Sequence, residues 1–135
     1  MNAWLPFVIL SIVSWGAYIP TLHRGQLALG GSGIHAFLMV GIAYVLVAIA
    51  IPGSIVARAG SWNVFTPHGI GFSMAAGILG SLGALGIVFA LTHGGKPSVV
   101  PSLVFAGTPI ISVFVAMIYD PPKQSPSALF FLGIL

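Results

Sequence analysis

The sequence predicts an all-α membrane protein: a helical bundle of four transmembrane helices with the start of a fifth. Three observations predict it. The 135 residues include only four Lys or Arg and one Asp, 4% charged, where soluble domains carry about 25%. Hydrophobic residues make up 58% and the mean hydropathy is +1.12, more apolar surface than a soluble domain of this size can bury. Four uncharged stretches reach the roughly 20 residues needed to cross a hydrocarbon core about 30 Å thick. Arg24, Arg58, Lys96, Asp120 and Lys123 all fall outside those stretches. A soluble enzyme, a nucleic-acid binder and a disordered chain are excluded together. The pI of about 9.8 rests on four scattered cations that build no basic patch.

The first stretch, 4–22, reads WLPFVILSIVSWGAYIPTL. No Lys or Arg precedes it and no small-residue cleavage site follows, so it is a retained helix rather than a signal peptide. Ser11, Ser14, Tyr18 and Thr21 recur at three- and four-residue steps and share one face. A polar stripe on a membrane helix faces a partner or a cavity. Interhelical hydrogen bonding is the plainer expectation, and a cavity lined by Trp15 and Tyr18 the sharper one. The second stretch, 36–57, carries Tyr44, whose hydroxyl needs an acceptor at that depth.

The third stretch, 70–91, is rich in small residues. Ala76, Gly80 and Ala84 recur every four, as do Gly77 and Ser81, and Gly80, Gly83 and Gly86 every three. Small residues let helix backbones approach closely in lipid. Gly77, Gly80, Ser81, Gly83 and Ala84 are therefore expected to form a helix-packing face. The fourth stretch, 99–119, holds Pro109 near its middle. Proline cannot donate to the carbonyl four residues earlier, here Phe105, so a kink is expected there. Pro6, Pro20, Pro52 and Pro101 also lie within the stretches. Last comes a partial helix, 127–135, too short to span. Its apolar end suggests that a fifth helix has been cut or that the chain is a truncated relative.

The connections carry turn chemistry. Residues 23–35 (HRGQLALGGSGIH) suit a flexible loop, and 58–69 place Trp62 and Phe65 at headgroup level. HGGKPS, 93–98, is a tight turn, and DPPKQSP, 120–126, cannot continue a helix. Asp120 caps a turn. Arg24 and Lys96 lie on one side of the membrane, and Arg58, Lys123 and the terminal amine on the other. That balance leaves the orientation, single or dual, open.

Candidate chemistry is sparse. There is no Cys, hence no disulfide and no thiolate ligand or nucleophile. His23, His35, His68 and His93 lie at helix ends or in loops without ligand spacing on a helix, so no metal site is expected. No Asp or Glu lies in a span, which leaves no embedded carboxylate for proton coupling. With a single Asp and no catalytic constellation, no enzyme and no cofactor are expected.

Two segments resemble a known superfamily. SWGAY, 14–18, is similar to the first helix of EamA-like transporters of the drug/metabolite transporter superfamily, where a Trp-Gly pair is common. ALTHGGKPSVVPSLVFAGTPIISVFVAMIYD, 90–120, resembles the family's third-to-fourth helix region, with Pro109 at its mid-helix proline and Asp120 near its frequent Glu. The resemblance implies a single incomplete repeat in an inner bacterial membrane, where complete members have ten helices in two inverted repeats. It implies transport by a homo-oligomer or with a second repeat. The spans offer hydroxyls and aromatics and no counter-charge, so the expected substrate is a small neutral or zwitterionic metabolite, with Trp15, Tyr18 and Tyr44 lining the cavity. The other expectation is a structural or accessory subunit packed in a larger membrane complex. In either case the partners are the lipid bilayer and another membrane chain.

Overall fold

In the computed structural model, residues 3–122 and 133 are described. Four α-helices follow in order: α1 (Leu5–Ala28), α2 (Gly33–Ala59), α3 (Pro67–Thr92) and α4 (Val100–Tyr119). A single 3-10 turn, Trp62–Val64, stands between α2 and α3, and no strand occurs among the described residues. All four α-helices are long and apolar enough to cross a membrane. The chain is a multi-pass integral membrane protein with an all-α fold. The partial helix expected over 127–135 lies outside the described residues, Gly133 apart.

The helices outrun the stretches expected from hydropathy. The loop expected over 23–35 is mostly helix: α1 continues six residues past Leu22, and α2 starts at Gly33 rather than at residue 36. Arg24 and Arg58 therefore ride on helices instead of between them. The physical reason is length. The 24 residues of α1 rise about 36 Å at roughly 1.5 Å each, more than a hydrocarbon core of about 30 Å. Hydropathy marks only the part in hydrocarbon, whereas backbone hydrogen bonding carries the helix on into the headgroups.

Glycines end the overhangs. Gly30 and Gly31, at φ of 70° and 80°, turn the chain after α1, with the Gly31 N–H donating to the Gln26 carbonyl at 2.8 Å. Gly60, at φ 61°, closes α2 in the left-handed conformation, its N–H on the Val56 carbonyl. Thr66 caps α3 by accepting from the Gly69 N–H at 3.1 Å, and Pro67 follows in the first turn, where no donor is needed. Pro6 and Pro101 are the second residues of α1 and α4, also in the first turn, so they begin helices rather than bend them. Pro20, Pro52 and Pro109 are the interior prolines.

The chain divides into two compact units, Met1–Gly95 and Lys96–Leu135. In the first, α1, α2 and α3 meet at one end. Ile19, Leu22 and Gln26 of α1, Gly33 and Ala36 of α2, and Ala84, Ile87, Val88 and Leu91 of α3 are buried. Gln26 is only 3% exposed, and its Nε2 donates to the Val88 carbonyl of α3 at 3.3 Å. The Thr92 hydroxyl donates to that same carbonyl at 2.8 Å. Gly33 abuts this group so closely that a Cβ would collide with Thr92 Oγ1 and stand 2.8 Å from Val88 Cγ1. The second unit contains α4, which runs unbroken through Pro109 and ends where the Asp120 N–H meets the Ala116 carbonyl at 2.8 Å.

These contacts set an expectation for stability. Gly33→Ala should cost about 1–3 kcal/mol, because the new methyl displaces packed atoms. Gly80→Ala should stay within about 0.5 kcal/mol, since a Cβ there meets nothing within 4 Å. Equilibrium unfolding in mixed micelles measures both.

Candidate functional site

The hydroxyls of the helices are mostly committed to their own backbone. Ser11 Oγ donates to the Phe7 carbonyl at 3.0 Å and Thr21 Oγ1 to the Ala17 carbonyl at 2.8 Å. Ser54, Ser81 and Thr108 do the same on α2, α3 and α4, at 2.8, 2.9 and 2.6 Å. In hydrocarbon this disposes of a donor that has no water to meet. The interhelical bonding expected of the α1 stripe is thus absent at Ser11 and Thr21: each bonds within its helix. What Thr21 turns outward is acceptor capacity alone.

Tyr18 is different. Its ring is half-buried, its Oη is enclosed, and the hydroxyl has no hydrogen-bond partner among the described residues. A phenol reaches too far from the helix to bond its own backbone, so its satisfaction depends on what stands opposite. The Tyr18 side chain also lines a groove of about 560 Å³ between α1 and α2. Ser14, Tyr18 and Thr21 give it polar atoms, and Met39, Val40 and Ala43 of α2 form the apolar wall. Of the α1 stripe, Ser14, Tyr18 and Thr21 line the groove and Ser11 does not. The groove runs down to Leu22, Gly25 and Ala36, beside the buried Gln26 junction.

The other two expected cavity residues are not in the lining. Trp15 packs edge-on against the Tyr18 ring, centroids 5.4 Å apart at 62°, and fixes the phenol's direction. Tyr44 stands on α2 and is 45% exposed.

The small-residue face of α3 divides. Ala84 is buried at 1% exposure. Gly77, Gly80, Ser81 and Gly83 are exposed, and a Cβ on any of the three glycines meets nothing within 4 Å. Inside this unit α3 packs instead through Ala84, Ile87, Val88 and Leu91. Gly77 and Ser81 line a separate wedge of about 770 Å³ with Ala48 of α2 and Phe65 and Thr66 of the connecting turn. Trp62 stacks on Phe65 in that turn at 6.1 Å. On α4, Thr108 and Gly107, next to Pro109, line an open groove of about 880 Å³.

Sequence reasoning passed over Gln26, because residues 23–35 read as loop. A signal was present. Ile19, Leu22 and Gln26 follow at three- and four-residue steps, so the apolar face of α1 carries straight on to the amide. His23, three residues earlier, has an enclosed Nδ1 without a partner among the described residues. No group of three His, Asp or Glu side chains among the described residues could hold a metal ion. Comparison with protein-family models, with curated proteins and with solved structures finds no match to this chain.

An enclosed hydroxyl without a partner costs stability. Tyr18→Phe should therefore leave stability unchanged or raise it by about 1 kcal/mol, measured by thermal unfolding in detergent. A loss of that size would mean that the hydroxyl is bonded.

Proposed function

We propose that this integral membrane protein is a transporter of the EamA-like, drug/metabolite transporter type, moving a small neutral or zwitterionic metabolite. The observation that carries the reading is Tyr18, which lines a groove of about 560 Å³ between two membrane-spanning helices and whose enclosed hydroxyl has no partner among the described residues. The phenol offers one directed donor, and Thr21, its own proton committed to Ala17, offers acceptor lone pairs. A substrate hydroxyl, amide or carboxylate oxygen supplies the missing acceptor. No charged side chain among the described residues lines the groove, which disfavours a substrate with net charge, because an unpaired ion in hydrocarbon is expensive. Trp15 holds the phenol in place. On this reading Pro109 bends α4, no covalent step or cofactor is involved, and the membrane is the inner membrane of a bacterium.

A single repeat does not enclose a central site. Transporters of this kind bind substrate where two repeats face each other, so the reading includes a second copy of the chain or a partner carrying the other repeat. The SWGAY and 90–120 segments support it. The exposed Gly77, Gly80 and Gly83 face of α3 supports a close-packing neighbour, and it equally favours the second reading, an accessory subunit of a larger membrane complex.

Uptake into reconstituted vesicles separates these readings. Neutral and zwitterionic solutes should accumulate, and Tyr18→Phe, alone or with Tyr44→Phe, should lower uptake by about tenfold, the worth of one directed hydrogen bond of about 1.4 kcal/mol. Unchanged uptake in Tyr18→Phe overturns the groove as the substrate site. Purification in mild detergent addresses the assembly. A stable homodimer fits the transporter, and recovery in constant ratio with other subunits fits the accessory role.

A further inference from the structure

We propose that α1, α2 and α3 are hinged at the Gln26–Val88 junction and that the unit opens and closes at its opposite end. Covered residues lie only toward one end of this unit. On α1 they are Ile19, Leu22 and Gln26, and on α3 they are Ala84, Ile87, Val88 and Leu91. On α2 they are Gly33 and Ala36, both in its first turn. Toward the other end no described residue is fully covered. Residues 5–17 of α1 and 67–83 of α3 are exposed throughout, and on α2 past Val40 only Gly53 and Val56 are even half-buried.

Three features make the first end rigid. Gln26 is buried, and its amide crosses from α1 to a backbone carbonyl of α3, a bond whose loss leaves polar groups stranded away from water. Gly33 leaves no slack, because α2 touches Thr92, Val88 and Gln26 with bare backbone. Ile19 and Val88, fully covered, fill the space beside the amide bond. Separating the helices there exposes all of this at once.

At the opposite end, separation uncovers at most the half-buried Gly53 and Val56 of α2, so displacement there has a low free-energy cost. The wedge of about 770 Å³ lies on that side, with Ala48 on one wall, residues 69–81 on the other and Val64, Phe65 and Thr66 of the connecting turn closing it. Residues 60–66 tie α2 to α3 there, so α1 is the helix that swings most about the junction. The hinge stands whether the protein transports or serves a larger complex, because it rests on the packing of one unit alone.

The chain has no cysteine, so introduced cysteine pairs carry spin labels uniquely. In the full chain in lipid bilayers, Leu29→Cys with His93→Cys reports the junction end. Phe7→Cys with Ile70→Cys reports the opposite end. Pulsed electron spin resonance should give a narrow distance distribution at the junction and one at least about twofold broader at the opposite end. Gln26→Leu in the junction pair should broaden the narrow distribution. If Gln26→Leu does not insert, Gly33→Ala takes its place, with the same broadening expected. Equal widths at both ends in the unmodified background overturn the hinge. So does a junction distribution that stays narrow in the variant.

Discussion

The Val88 carbonyl organises the three-helix unit. It accepts from the Gln26 amide of α1 and from the Thr92 hydroxyl of its own helix, and Gly33 of α2 presses against the same group of atoms. Membrane helices gain nothing by hiding apolar side chains from lipid, since hydrocarbon is already apolar. What fixes their mutual position is close packing and hydrogen bonds that have no competing water. Both occur at this junction. The covered apolar residues gather near it, and the grooves between the helices lie beside it or beyond it.

The groove beside Tyr18 follows from that arrangement. With α1 and α2 joined near Gly33 and Ala36, Tyr18 stands about two turns above the buried Gln26, where the helices leave room between them. Of the α1 hydroxyls near it, Thr21 donates to Ala17 and, further up the helix, Ser11 to Phe7. Tyr18 cannot do the same, because a phenol hydroxyl sits too far from the backbone to bond locally. Trp15, edge-on at 5.4 Å, holds its ring.

The small-residue pattern on α3 shows how one motif can serve two surfaces. Ala84 belongs to the junction. Gly77, Gly80 and Gly83 do not, and they remain bare. Spacing alone could not separate them, because the steps of three and four that mark a shared face also wind gradually around the helix. Which part of the stripe meets α1 and α2 depends on how far along α3 the three helices converge. That point is set by Gln26, a residue on a different helix.

Much of the architecture was legible in the residue order. Four uncharged stretches had to become four helices, because only a helix satisfies its own backbone across hydrocarbon. Gly30, Gly31, Gly60 and Gly94 provided the positive φ that the turns require. Helix ends were less legible: hydropathy reports where lipid begins, and α1 and α2 continue past that point, taking Arg24 and Arg58 with them. The candidate site was legible in part. The polar stripe of α1 and Tyr18 stood out as wrong for lipid, but Trp15 packs on Tyr18 instead of lining the groove, and Tyr44 is not in the lining either. Gln26 looked like loop. By itself, the sequence determined that this chain lives in a membrane as helices, since composition and segment length are local properties. Only the tertiary structure decided which small residues pack, which hydroxyl is left without a partner and where three helices are tied together, because each depends on an atom of another helix arriving within bonding distance.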